Sequence, residues 1–228
     1  MKKCKENSCM NSHCEIRNLN NDSYISINDL DDVSVIKPQL LLHSCCGPCS
    51  TSVIEKLVYS YDITVFFYNP NITDTEEYKR RKDAQISFIN QYNGSKDSIG
   101  KIAFMEGSYD VDEFYKVSAG LEKEPEGGRR CVKCFEMRLE KTAETASLSG
   151  YNYFATTLTV SPYKNYAIIS KIGTKLGVKY GLVFLNEDFK KKDGYKRSIE
   201  LSKKYNLYRQ KYCGCKFAQG GKIKCQKD

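Results

Sequence analysis

Three groups of thiols are spaced in ways that suit chemistry better than packing. The stretch LLHSCCGPCS, residues 41–50, puts Cys45, Cys46 and Cys49 directly after a short apolar run. The stretch RRCVKCFEMR, residues 129–138, carries Cys131 and Cys134 as C-x-x-C. Near the carboxyl end, YCGCKF holds Cys213 and Cys215 as C-x-C. Helical spacing of three residues sets Cys131 and Cys134 on one face, within reach of one metal centre. The helix amino end, with Arg129, Arg130 and Lys133 beside it, should favour their thiolate forms. Glycine between Cys213 and Cys215 frees the backbone so that both sulfurs can turn toward one point. Neighbouring Cys45 and Cys46 crowd a single tetrahedral ion but suit different irons of a larger cluster, or two adjacent sites. Cys45, Cys46, Cys131 and Cys134 together supply four ligands. Each group alone has a plain explanation, such as a zinc pair or two small buried residues. All three in one chain point to a metal or redox site.

Composition supports that use of cysteine. The chain has 228 residues and 11 cysteines. An odd number argues against a full disulfide framework. The start, MKKCKENSCMNSHCEIRNLNND, is basic but has no apolar core, so it does not read as a secretory signal. No apolar run approaches the roughly 18 residues of a membrane helix. The expected setting is therefore a reducing cytoplasm without membrane attachment, where metal or redox use of thiols is the better account. A net charge of +8, from 36 basic and 28 acidic residues, permits nucleic-acid binding without establishing it.

The elements that must position these thiols alternate. Residues 1–37 are polar and weakly patterned and read as a flexible extension. Cys4, Cys9 and Cys14, with His13, lie there at equal spacing; a small metal site and a disordered tail both fit. From Gln39 the pattern changes, and residues 38–228 read as one α/β domain. QLLLHS is a buried strand closed by a Gly-Pro turn, and Pro48 suits the first turn of the helix that follows. DITVFFYN, KIAFME, YNYFATTLT and a short GLVFLNE read as further strands. TEEYKRRKDAQISFINQY, DVDEFYKVSAGL, CVKCFEMRLEKTAETASLSG, NYAIISKIGTKLG and YKRSIELSKKY read as helices. Such alternation implies a parallel sheet with flanking helices and right-handed crossovers. Ligands of such sheets collect at the carboxyl ends of the strands. The loops HSCCGPC, YNPNI and TTLTVSPYKN all fall there.

The stretches LLHSCCGPC, YNPNI, RRCVKCFEMRL, TTLTVSPYKN and YCGCKFA, in that order, resemble the QueH family of epoxyqueuosine reductases. The resemblance covers about Gln39 to Ala218. It implies a fold similar to the nucleotide α-hydrolase-like, or HUP, domains. It implies removal of the epoxide oxygen from epoxyqueuosine in tRNA, the last step of queuosine synthesis. By motif, Cys45, Cys46, Cys131 and Cys134 map onto the ligands of a [4Fe-4S] cluster. Cys213 and Cys215 map onto a redox-active pair, which in part of the family lies beside a second, mononuclear iron. The implied partners are a tRNA carrying epoxyqueuosine and an electron donor. Some relatives carry a carboxylate where Cys49 stands. Cys49 is thus an alternative cluster ligand, which would leave Cys45 for a second metal with Cys213 and Cys215. Residues 1–37 and Cys225 fall outside the family core.

Epoxide reduction to an alkene takes two electrons and two protons. Iron at the oxygen assists C–O cleavage, a cluster passes electrons singly, and a dithiol can supply two by closing to a disulfide. His43, Tyr212 and Tyr163 are candidate acids by location, although a strand histidine is more simply a packed one. Tyr163, Lys164 and Asn165 are substrate-binding candidates; a helix-start turn after Pro162 explains the same residues. Arg80, Arg81 and Lys82 are candidate tRNA contacts, alongside Arg129, Arg130 and the lysines at 190–192; solvated helix faces explain these runs too. With 17 tyrosines and 10 phenylalanines, a stacking partner for a splayed base is at hand. Two competing classes are a zinc-stabilised RNA-binding module without catalysis and a general thiol–disulfide oxidoreductase.

Overall fold

The computed structural model describes residues 36–218. Cys4, Cys9, His13, Cys14 and Cys225 lie outside the described residues, as does nearly all of the expected extension. Five parallel strands form one sheet: β1 (Gln39–His43), β2 (Asp62–Phe67), β3 (Ala103–Glu106), β4 (Tyr153–Thr156) and β5 (Val183–Phe184). Six helices accompany them: α1 (Gly47–Leu57), α2 (Thr75–Gly94), α3 (Val111–Ser118), α4 (Arg129–Leu148), α5 (Tyr166–Tyr180) and α6 (Gly194–Lys204). The α/β class expected from the alternation is the one observed. Among the described residues no helix is long and apolar enough to cross a membrane.

Strand order in the sheet is β3-β2-β1-β4-β5. The chain therefore builds outward from β1 in one direction, then returns to add β4 on its other side. Helices α1, α2 and α6 pack together, as do α3, α4 and α5, the two layers that right-handed crossovers impose on such an order. Central β1 is covered on both faces, and Leu40, Leu41 and Leu42 are wholly buried. That is why its sequence is a continuous apolar run instead of an alternating one.

The reversal of order falls between β1 and β4. Their carboxyl ends splay the following loops to opposite faces and leave a crevice there. A polar chain ties the strand ends beneath that crevice. The Leu158 N–H donates to Thr156 Oγ1, whose hydroxyl donates to His43 Nδ1 at 2.9 Å, and His43 Nε2–H donates to the Tyr68 carbonyl. Donation to a carbonyl fixes the proton on Nε2, since the carbonyl only accepts.

The strand expected over 151–159 is shorter than its composition predicts. It stops at Thr156, and Thr157–Val160 winds into a 3-10 turn. The Thr156 hydroxyl accepting from Leu158 offers the backbone a local alternative to the ladder. β5 likewise keeps two residues of the seven expected. Helix α1 begins at Gly47 with Pro48 in its first turn, as expected.

Candidate metal and thiol site

Cys45, Cys46 and Cys49 come together at the start of α1. Their sulfurs all lie within 4.8 Å of one another and all three side chains are buried. Cys45 and Cys46 sulfurs are 3.9 Å apart. A tetrahedral ion with bonds of about 2.3 Å to thiolates separates its sulfurs by about 3.8 Å. The crowding expected for adjacent cysteines is thus absent: the extended backbone of Cys46 lets both sulfurs face the same side as Cys49. The Cys45 sulfur also lies 3.9 Å from Thr157 Oγ1, on the far side of the switch point. Gln210 Nε2–H donates to the Cys46 sulfur at 2.9 Å from the carboxyl-terminal tail.

The triad can be assembled because Gly47 has no side chain. A Cβ there would stand 2.6 Å from the Ala84 carbonyl oxygen on α2. Ser44 and Ser50 hydroxyls both donate to Gln85 Oε1 on the same helix, at 2.7 and 2.9 Å. The loop is therefore held from the α2 side as well as from the sheet.

Cys131 and Cys134 occupy the first turns of α4, with Cys131 half-buried and Cys134 buried. They line one small cavity with Cys213, Cys215, Arg138 and Lys164. A larger cavity, about 290 Å³, opens beside it. It is lined by Cys49, Cys213, Lys164, Glu126, Tyr163 and Tyr212, among others. Cys213 thus stands between the two cavities, and the C-x-C tail crosses the crevice.

The tail is fastened by a residue read from sequence as a surface cation. Arg81 is 2% exposed. Its guanidinium pairs with Glu77 at 2.6 Å and donates to the carbonyls of Tyr212 and Cys213, each at 3.0 Å. This corrects the expectation of a phosphate contact at Arg81: the charge faces inward and holds the tail. Gly214 sits at φ +107°, and its carbonyl accepts from the Thr73 N–H. That left-handed conformation is the freedom glycine supplies between the two cysteines. Lys82 pairs with Glu106 at 3.0 Å, and Arg80 remains exposed.

The thiols divide by environment. Hydrogen bonds from Cys46 and Cys49 hold Cys45 well below the usual thiol range, with Lys164 and Arg138 adding to the effect. Burial pushes Cys46 up to about 11, and its bond to Cys45 raises Cys49. In the tail, the bond from Cys215 lowers Cys213 and raises Cys215. Burial raises Cys131 and takes Cys134 to about 11. The expected thiolate support from nearby cations at α4 does not outweigh that burial, although Arg130 draws Cys131 down. Arg129 is paired with Glu124, Lys133 with Glu136, and Arg130 donates to the carbonyls of Leu121, Glu122 and Glu124.

Two cations stand at the thiols, of which the sequence reading named only Lys164. Arg138 is 2% exposed, donates to Asn69 Oδ1 at 2.6 Å, and has no hydrogen-bond partner for its Nε. Lys164 was singled out for substrate. It is half-buried, and the sulfurs of Cys45, Cys213 and Cys49 hold its ammonium raised against the burial that would lower it. Among the described residues, neither cation is paired with a carboxylate. Positive charge beside Cys45, Cys49, Cys134 and Cys213 is what an anionic metal–thiolate group requires for balance. The donor set and its surroundings therefore fit such a group. Glu126, in the Gly-rich approach to α4, was also missed; burial raises its carboxyl, and Cys213 adds to the rise.

The remaining candidates separate clearly. Tyr163 is 53% exposed at the mouth of the larger cavity. Asn165 caps α5 by accepting from the Ile168 N–H, the helix-start role. His43 is wholly buried with both ring nitrogens bonded, and burial, with Arg138, lowers it to about 3. It is a neutral strut, which corrects its candidacy as the acid.

Fold and site together define an α/β protein with a buried cysteine triad, able to hold a metal, at the switch point of a parallel sheet. A profile of the family "Epoxyqueuosine reductase QueH" matches residues 40–220. Curated proteins of that name are similar throughout this region. The one from Staphylococcus epidermidis is 45% identical over 184 residues, 80% of this chain and 76% of its own. That from Streptococcus pyogenes is 43% identical over 183 residues, 80% and 71% of the two chains. That from Thermotoga maritima is 34% identical over 182 residues, 78% and 89%. The chain belongs to the QueH family.

Proposed function

We propose that this protein is an epoxyqueuosine reductase that acts on tRNA, removing the epoxide oxygen to give queuosine. The observation that carries the proposal is the meeting of seven cysteines from three distant segments around one crevice, with Arg138 and Lys164, neither paired with a carboxylate, among them. Cys45, Cys46, Cys131 and Cys134 would hold a [4Fe-4S] cluster, with Cys49 as the alternative to Cys45. Such a cluster supplies electrons one at a time for cleavage of the C–O bond. Cys213 and Cys215 would serve as a redox pair or as ligands to a second, mononuclear iron.

The chain's own groups have separable tasks. Lys164 and Arg138 offset negative charge at the sulfurs and draw an electron-rich oxygen toward Cys213 and Cys49. Glu126 lies on the wall of the same cavity and can hold a proton for the departing oxygen, with the Tyr212 phenol as the other acid there. Tyr163 offers its ring at the mouth, where a base turned out of an RNA loop can stack. An electron donor must deliver two electrons per turnover.

One observation favours a competing reading. The 3.9 Å between Cys45 and Cys46 sulfurs suits a single tetrahedral ion, as in a zinc-stabilised RNA-binding module. Anaerobic purification with metal analysis separates the two. Iron with sulfide, and broad absorbance near about 400 nm that is lost in Cys131→Ala and Cys134→Ala, is the expected result. A colourless protein carrying zinc would support the module instead.

A further inference from the structure

A second groove, about 440 Å³, lies against the thiol-lined cavity. Three tail residues, Arg209, Lys211 and Tyr212, line both. Its remaining wall is the first turns of α2 with Tyr208. A groove of this size is in the range of small-molecule sites, and its chemistry is that of a nucleotide's three parts.

The cations come first. Arg80 and Lys211 are exposed, Arg209 is half-buried, and none is paired with a carboxylate among the described residues. Arg209 instead stacks over the Tyr195 ring. The carboxylates are less available than their number suggests. Glu77 is buried and bonded to Arg81 and to the Tyr208 hydroxyl. Asp74 caps α2 by accepting from the Glu77 N–H. Glu76 alone stands exposed with no such commitment, an acceptor suited to a ribose hydroxyl. Tyr208 has its hydroxyl anchored on Glu77 while 38% of the residue remains exposed, so its ring is a fixed surface rather than a mobile one.

We propose that this groove is a subsite for a nucleotide neighbouring the one that enters the thiol-lined cavity. Arg80 and Lys211 bind its phosphates, Glu76 accepts from its ribose, and the Tyr208 ring receives its base. The assignment rests on the proposed RNA substrate. Because Lys211 and Tyr212 border both spaces, a single-stranded backbone can pass from one to the other without leaving the protein. It also moves the expected contact surface: of Arg80, Arg81 and Lys82, only Arg80 faces the groove, and its companions come from the tail, about 130 residues later in the sequence.

The test is equilibrium binding of an unmodified anticodon stem–loop RNA to the full chain over a range of salt concentrations. Arg80→Gln and Lys211→Gln should each weaken binding and each lower the slope of log K against log salt by about 0.7, one single-strand phosphate contact. Lys175→Gln, on α5 and lining neither cavity, removes the same charge and should leave the slope unchanged. Glu76→Ala should weaken the RNA stem–loop more than a DNA stem–loop of the same sequence. Unchanged slopes in both groove variants, or an equal fall in Lys175→Gln, would overturn the subsite; equal loss on RNA and DNA in Glu76→Ala would remove the ribose contact. Binding is read without turnover. Absence of reductase activity in the unaltered protein would therefore count against the proposed reaction and leave this result standing.

Discussion

At the scale of single residues, the division of labour among the cysteines depends on which neighbour each sulfur meets. Cys213 stands on the wall of the larger cavity and is lowered by its bond from Cys215, whereas Cys134 is enclosed and raised by burial. A lowered, accessible thiol suits exchange or metal binding during turnover. Cys213→Ser and Cys215→Ser should therefore keep the iron–sulfur colour and lose most reduction of epoxyqueuosine, by at least about 100-fold if the pair acts in the chemical step. Absorbance and single-turnover product are the measurements; near-normal turnover in both variants would remove the pair from the mechanism. The spacing of these cysteines was legible in the sequence. The roles of Arg81 and Glu126 were not. Burial of an arginine in an R-R-K run depends on carbonyls about 130 residues away, and nothing in LEKEPEGG sets Glu126 apart from Glu122 and Glu124.

At the scale of elements, the site depends on how closely α1 approaches α2. Gly47 lets the Cys45–Cys49 loop lie against the Ala84 carbonyl. Gly47→Ala should push the two helices apart and cost about 1–3 kcal/mol, the usual penalty of overpacking. Chemical denaturation checks this, and metal content per folded protein should fall in parallel. A change within about 0.5 kcal/mol would mean that the loop yields without strain. The buried apolar run of β1 and the glycine that ends α4 made these elements readable. The end of β4 was not readable in the same way. Threonines at 156, 157 and 159 favour strands by branching, but the Thr156 hydroxyl captures the next backbone turn, and no propensity records that capture.

At the scale of the whole molecule, everything among the described residues that builds the crevice lies between β1 and the C-x-C tail. The core begins at Leu40, and the family match begins at the same residue. Deleting residues 1–37 should leave folding and metal content unchanged within error. Its one described cost is the bond from Lys37 Nζ to the Val58 carbonyl. Circular dichroism with iron analysis tests this; loss of metal would bring Cys4, Cys9 or Cys14 into the site. Strand order could be only partly foreseen. Alternation gives parallel strands but does not say on which side of β1 the chain adds β4, and its return to the far side of β1 creates the crevice.

The central claim is that these cysteines together reduce an epoxide on RNA. The most direct measurement is turnover of tRNA carrying epoxyqueuosine by the anaerobically purified, iron-loaded chain with a chemical reductant. Nucleosides are then separated and weighed by mass spectrometry. The expected result is queuosine, one oxygen lighter than the starting nucleoside, formed in proportion to enzyme and absent with Cys213→Ser. Unchanged epoxyqueuosine after incubation with fully iron-loaded protein would contradict the account.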